Sequence, residues 1–348
     1  MKQSIFSASA IAAIISSSAF AADLPSLKSA PTAPVSSWTG AYAGLNIGYN
    51  FGNNGPVNVA ATNAPWIFGS GASLGAGAPI APNTLNSSNV AGLSYSGSAG
   101  NTQSGVIGGG QLGYNFQIDP KYIIGFETDF QGTGINGGSA IQGGSYGVQP
   151  YQGPGNSNPL AGAITTAMGS SQIQGGVNWL GTVRGRFGFL ASPALFLYGT
   201  GGFAYGGAYA NVNQNANEYV LHQQNLSVSP PVPVPPPNNV NPGQNLWFGN
   251  TNQSQVLFGW TAGAGAEWKF MTNWSVKAEA IYWDLGRMTV NTSTFGSTVY
   301  VPTNAPAPWF WNNNFGWGKA SVQYSGIIAR AGVNYHFNLG SAPVVAKF

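Results

Sequence analysis

Nine charged residues recur at alternate positions within short runs of otherwise uncharged sequence: Glu127, Asp129, Arg184, Arg186, Glu267, Lys269, Lys277, Glu279 and Arg330. Paired carboxylates can do general acid–base work, but the one acidic pair, Glu127 and Asp129, lies on a strand next to that of Arg184 and Arg186, and Glu267 and Glu279 alternate with Lys269 and Lys277. The pattern therefore reads as a charge network, because charges gathered in a confined interior need partners. Other chemistry is poorly served. The two histidines, His222 and His336, stand in no base–nucleophile or metal-ligand pattern. There is no cysteine, which excludes thiolate chemistry, disulfides and Cys-based zinc sites. Gly108-Gly109-Gly110 lacks the Lys-Ser/Thr that a phosphate loop requires. No catalytic, cofactor-binding or metal-binding residue is assigned, and the chain reads as a non-enzyme.

The elements that must position these charges are strands. Gly326 to Phe337 reads GIIARAGVNYHF, with Ile327, Ala329, Ala331, Val333, Tyr335 and Phe337 on one side and Arg330, Asn334 and His336 on the other. Seven further segments carry the same period: Trp38–Phe51, Ser104–Phe116, Tyr122–Gln131, Asn178–Phe189, Ala194 to about Tyr205, Leu257–Phe270 and Trp274–Trp283. In the fifth both faces are apolar, so its inner side stays unassigned. The gaps run long, short, long, short, long, short, long. The short ones are Gln117–Lys121, Leu190–Pro193 and Met271–Asn273. The long ones show no sustained period, and one holds the proline run Pro230–Pro237, which cannot be a central strand.

Only 5% of residues are charged, against about 25% in ordinary soluble domains, and the chain is rich in glycine and aromatics. No central stretch is apolar enough for a membrane helix. A net charge of +3 is too small to indicate nucleic-acid binding. Even strand number, alternating gap length and one-sided apolar rows predict an all-β fold: an eight-stranded antiparallel transmembrane β-barrel with short periplasmic turns and four long extracellular loops. A soluble sandwich is the competing reading, but nothing in it makes connections alternate in length. Residues 1–21 read as a secretory signal, with Lys2 in the n-region and Ala19-Phe20-Ala21 preceding cleavage at Ala22. Residues 22–37 form a proline-bearing periplasmic lead-in, 38–337 the barrel, and 338–348 a periplasmic tail, with the lumen as its alternative place.

Trp38, Tyr49, Tyr114, Tyr122, Trp179, Trp268, Trp274, Tyr282 and Tyr335 are expected in aromatic girdles. Val232, Val234, Trp247, Phe248, Trp309, Phe310 and Trp311 make an apolar loop patch. Phe337 and Phe348 are two candidate assembly signals. The expected partners are outer-membrane lipid and the barrel-assembly machinery, with surface or host contacts through the loops and no nucleic acid.

Several stretches resemble the 25/31 kDa outer-membrane protein family of alphaproteobacteria: AFAADLP (Ala19–Pro25), WTGAYAGLNIGYNFG (Trp38–Gly52), GGGQLGYNFQ (Gly108–Gln117), GTVRGRFGF (Gly181–Phe189), LYGTGGFAYG (Leu197–Gly206), GWTAGAGAEWKF (Gly259–Phe270) and RAGVNYHF (Arg330–Phe337). The resemblance covers the strand framework from Trp38 to Phe337. It implies a small, abundant surface-exposed barrel in the outer membrane of a Gram-negative bacterium, contributing to envelope integrity and host contact. Some members have been described as porins, so the alternative is a narrow diffusion porin for ions or small solutes.

Overall fold

The computed structural model describes residues 37–62, 87–148, 164–221, 243–299 and 311–337. Ten strands and one short helix lie in them: β1 (Gly40–Gly52), β2 (Asn54–Thr62), α1 (Ser87–Ser94), β3 (Gly97–Thr102), β4 (Gly105–Gln117), β5 (Tyr122–Val148), β6 (Ile164–Ser192), β7 (Leu195–Leu221), β8 (Gly243–Lys269), β9 (Trp274–Val299) and β10 (Trp311–His336). All belong to one antiparallel sheet in the order β1-β4-β5-β6-β7-β8-β9-β10-β2-β3, and β1 also pairs with β10 from Tyr42↔His336 to Gly52↔Gly326. That pairing closes the half of the sheet nearer the short turns into a barrel, while farther along, among the described residues, β3 has a ladder only with β2 and meets β5 through the single bridge Ser104↔Asn136 just past its end. The backbone N–H of Phe337 donates to the carbonyl of Ala41 at 2.8 Å, just beyond the last ladder pair.

The strands are far longer than the sequence periods predict. β5 to β10 each hold 26 to 29 residues, or about 90 Å of extended chain at the usual rise per residue. Much of what reads as long loops is therefore strand. The first gap contains β2, α1 and β3. β2 continues the line of β1 past Asn53 and pairs with β10, from Trp317↔Thr62 to Val322↔Val57. β3 leads into β4 past Gln103 and Ser104. The count of ten in place of eight comes from these two interruptions. Trp247 and Phe248, expected in a loop, lie in β8, and Trp311 starts β10. The proline run and the rest of the apolar patch lie outside the described residues, as do residues 1–36, His222 and 338–348.

The tight connections gather at one end of the barrel, here called the turn end. Asp119 shows why the first is tight: its Oδ1 accepts the backbone N–H groups of Lys121 and Tyr122, both at 2.7 Å.

In the turn half of the barrel, side chains alternate polar inward and apolar outward. Leu45, for example, is 73% exposed on the outside, while Asn46 beside it is buried within. In the distal half the rule inverts. Ile135, Ile173, Val177, Ala208, Val212, Met288, Val290, Val322 and Tyr324 form one buried apolar cluster inside. The outside there carries Gln172, Gln174, Asn213 and Asn215. Helix α1 lies within this half, touching β2, β5, β6, β7 and β10. Its Ala91 and the following Tyr95 join the apolar cluster. The Tyr95 hydroxyl shares a hydrogen bond with Thr294 Oγ1 at 3.1 Å, and Ser171 Oγ donates to the Tyr95 carbonyl at 2.9 Å.

The two halves meet at a belt of backbone irregularities. It includes the break at Asn53, the break at Gln103–Ser104, and register shifts at Gly132/Ile135, Val177/Trp179 and opposite Tyr324/Ser325. An extra residue in a strand displaces its side-chain alternation by one. β9 shows the effect: its buried positions run through Ile281, Trp283 and Leu285, then through Met288 and Val290. Gly286 lies at that step with φ +78°, a conformation that glycine adopts without steric cost. A second interruption separates β8 from β9: no ladder pair is formed between Phe248 and Trp260 on β8.

Candidate functional site

The nine charges project inward in the turn half, and all are buried. Their positions follow from register. Glu127 of β5 lies opposite Arg184 of β6, Glu267 of β8 opposite Lys277 of β9, and Glu279 of β9 opposite Arg330 of β10. Neighbouring strands therefore present opposite signs. Longer side chains then reach across the lumen.

Glu127 is the hub. Its Oε1 lies 2.5 Å from Arg184 Nη2, 2.8 Å from Lys277 Nζ and 3.3 Å from Arg330 Nη2. Its Oε2 accepts from the Tyr42 hydroxyl and Lys277 Nζ at 2.8 Å and from Arg186 Nη1 at 3.2 Å. Asp129 Oδ2 accepts from Arg184 and Arg330, each at 2.9 Å. Glu279 takes Arg330 Nε at 2.7 Å and the Tyr198 hydroxyl at 2.6 Å. Glu267 takes Arg186 Nη2, Ser275 Oγ and Asn334 Nδ2 at 2.6, 2.6 and 2.8 Å, and lies 3.2 Å from His336 Nε2. Four carboxylates thus face four Arg/Lys cations. Such a set tolerates burial because every charge has opposite charge and hydrogen bonds around it, whereas removing one member strands the others.

Lys269 stands apart from these contacts. Its Nζ donates to the Ser37 carbonyl at 2.9 Å and sits 4.4 Å from the Trp38 ring centroid. Trp38, expected in an outer girdle, is instead fully buried inside the turn end. It packs with Ile123, Phe196, Tyr198 and Leu190, and its indole N–H donates to the Pro193 carbonyl at 3.1 Å. The reason is its place before β1, where the entering chain is not bound to the outer alternation. Tyr49, Tyr114, Tyr122, Trp179, Trp268, Trp274, Tyr282 and Tyr335 do lie on the outside.

The charge pattern alone did not mark the neutral members of the site. Tyr42, Asn46 and Asn50 share the polar face of β1, which was a usable signal. The fifth strand's inner face is settled by burial: Phe196, Tyr198 and Thr200 point inward. Arg186 lies over the Tyr198 ring with its guanidinium carbon 4.0 Å from the centroid. A chain of amides runs beside the charges, starting from Asn334, which also donates to Glu267. Asn46 donates to Gln111 at 2.9 Å, Gln111 to Asn334 at 2.5 Å, and Gln131 to Asn46 at 2.9 Å. Trp283 Nε1 then donates to Asn50 at 2.8 Å, where the apolar distal core begins.

Ser275 Oγ lies 2.9 Å from His336 Nε2, but it donates to Glu267 Oε1 at 2.6 Å, and the same histidine nitrogen faces that carboxylate oxygen at 3.2 Å, so the three form one buried hydrogen-bonded cluster. No group of three His, Cys, Asp or Glu among the described residues could hold a metal. No family model matches the chain. Among solved structures it is similar to the outer membrane protein OprG from Pseudomonas aeruginosa, with 9% identity, 86% of this chain and 96% of that chain covered, and a TM-score of 0.31. It is also similar to Ail, the attachment invasion locus protein of Yersinia pestis, with 11% identity, 84% and 99% covered, and a TM-score of 0.23. The sequence relatives are far nearer. The 31 kDa outer-membrane immunogenic proteins of Brucella melitensis and Brucella suis are each 32% identical over 281 residues, covering 80% of this chain and 85% of theirs. With its closed antiparallel sheet and apolar outer belt, the chain is therefore an outer-membrane β-barrel protein of a Gram-negative bacterium, and it belongs to the family of the 31 kDa outer-membrane immunogenic proteins.

Proposed function

We propose that this protein is a structural, surface-exposed barrel whose lumen is sealed, and that it holds a long β-stalk above the outer membrane. In this reading the eight strands β1 and β4 to β10 form the transmembrane ring. The turn end faces the periplasm, and the distal half, with the β2–β3 hairpin, stands outside the cell. The observation that carries it is the filled interior of the turn half: Trp38 at the mouth, then eight paired charges with a chain of amides beside them. A barrel of this strand number encloses little beyond its own side chains. The outer belt matches a bilayer. On β5 the rows between Tyr122 and Phe130 span eight residues, about 27 Å along the strand and about 20 Å along the barrel axis at ordinary tilt.

The second reading is a narrow diffusion channel for ions or small solutes. It is favoured by the unbroken polar column from Lys269 to Asn50 and by Asp129 Oδ1 and Arg186 Nε, which have no hydrogen-bond partner among the described residues. Planar-bilayer recording separates the two. The sealed barrel gives no stable unit conductance in wild type, and Trp38→Ala combined with Glu127→Ala gives openings. Stable, ion-selective steps in wild type would establish the channel. The signal peptide at 1–21, the lead-in at 22–37 and the tail at 338–348 belong to the same proposal. So do Phe337 and Phe348 as alternative signals for the assembly machinery, of which Phe337 is already hydrogen-bonded onto β1.

A further inference from the structure

The outward face of β6, β7 and β8 in the distal half carries an ordered array of carboxamides. Register places Gln174, Asn211 and Asn252 side by side in one row, and Gln172, Asn213 and Asn250 in the next. Neighbouring strands are about 4.8 Å apart, and the two rows are about 6.7 Å apart along the strand. Asn250 donates to Asn213 at 2.5 Å, which fixes the orientation of both amides, and Ser170 donates to Asn215 at 3.0 Å in the row above. All six are exposed or half-buried, while Ala210 and Val212 between them are buried.

In the row below, Tyr209 lies against the sheet. A Cβ on Gly176 would fall 2.7 Å from its hydroxyl and 2.8 Å from its ring, so only glycine lets the ring lie there, half-exposed. Six amides that both donate and accept, beside an aromatic ring laid on a flat sheet, match the hydroxyls and C–H faces of a sugar chain.

Two features separate this array from ordinary wet surface. Asparagine is disfavoured in strands, so its use at Asn211, Asn213, Asn215 and Asn217 in succession opposes local propensity, which marks a face selected for something other than folding. The array is also uncharged, whereas the corresponding face of β9 and β10 carries Arg287 and Lys319 among Thr289, Ser293 and Ser321. Asn211 sits six residues beyond the outward aromatic Tyr205, about 20 Å along β7. With the distal half outside the cell, as proposed above, that is the level at which the sugars of the outer leaflet stand. We propose that this face binds neutral polysaccharide, supplied by the sugar chains of the lipopolysaccharide in the same membrane.

The test uses the full-length mature protein in detergent and lipid-free polysaccharide released by mild acid from that lipopolysaccharide. Dextran and heparin serve as neutral and anionic controls. Wild type should bind the polysaccharide saturably and heparin no better than dextran. Asn211→Thr with Asn213→Thr and Asn250→Thr keeps strand propensity and should weaken binding about tenfold or more while leaving the heat-modifiable barrel intact. Tyr209→Leu should weaken it independently, and Lys319→Ser should not. Absence of saturable binding, equal binding by the triple-threonine variant, or preference for heparin would overturn the proposal. So would finding that the triple substitution instead abolishes self-association of the protein in light scattering, because the face would then join copies of this chain. Orientation is read separately, by protease cleavage of intact cells within the distal half, so a barrel inserted the other way round is told apart from a face that binds no sugar.

Discussion

The two halves of the barrel use the same ladder and opposite chemistry. Near the turns, Glu127 and Arg184 point in and Phe126 and Val183 point out; farther along the same two strands, Ile135 and Ile173 point in and Asn136 and Gln172 point out. A sheet has no intrinsic inside. Its apolar face goes toward whatever is driest, which in the proposed placement is lipid around the turn half and the packed interior in the distal half. On that reading the turn half is held by hydrogen-bonded charge inside a lipid jacket, and the distal half by a hydrophobic core in water.

The largest effect expected from breaking this contrast is at the hub. Glu127→Ala leaves Arg184, Arg186, Lys277 and Arg330 facing one another around a lost carboxylate, and should cost about 3–5 kcal/mol of stability. Urea unfolding in detergent, followed by loss of the fast-migrating folded band, measures it. Equal midpoints for variant and wild type would show that the lumen charges do not support one another.

The outer faces provide the next comparison. Leu45→Arg places a cation on the lipid side of β1 and should cost about 2–4 kcal/mol, whereas Gln172→Arg on the outside of the distal half should stay within about 0.5 kcal/mol of wild type. If both positions tolerate arginine equally, the lower belt does not face lipid. In the distal core, Ile173→Ala removes a fully buried side chain and should cost about 2–4 kcal/mol. That loss should speed proteolysis of the distal half before it lowers the melting temperature of the turn half. Simultaneous loss would mean that the two cores unfold as one unit, and the contrast between them would be structural only. The smallest effect concerns α1. Tyr95→Phe removes the hydroxyl shared with Thr294 and should cost about 1 kcal/mol, seen as faster hydrogen exchange around residues 91–95.

Much of the turn half could be read from the chain. Period-two alternation with bulky outward residues marks β1, β4 and the near ends of β5, β6, β8, β9 and β10, because lipid demands a strong contrast between faces. β7 gave a strand without a side, since Leu197, Phe203 and Tyr205 outside alternate with Phe196, Tyr198 and Ala204 inside, and both sets are apolar. The distal strands were illegible for a different reason. Their inward residues are mostly alanine, glycine and valine, and their outward ones mix asparagine, glutamine and serine with apolar side chains such as Met168, Phe248 and Phe295, a contrast too weak to stand above loop composition. Nothing in such a stretch announces that the polarity of the faces has turned over.

The strand class, the short turns, the paucity of charge and the sorting of nine ionic side chains onto one face are legible in the chain alone. Each of these depends on neighbours a few residues apart. Folding of the whole ring is what brings Glu127 to Lys277 across the lumen, turns Trp38 inward at the mouth, and changes the interior from ionic to apolar at the belt of bulges. Those outcomes depend on ring closure and on the register of strands far apart in the chain: Lys277 is 150 residues from Glu127, and Arg330 is 203. Local alternation carries no record of either, because a one-residue bulge exchanges the faces while leaving the composition of the chain unchanged.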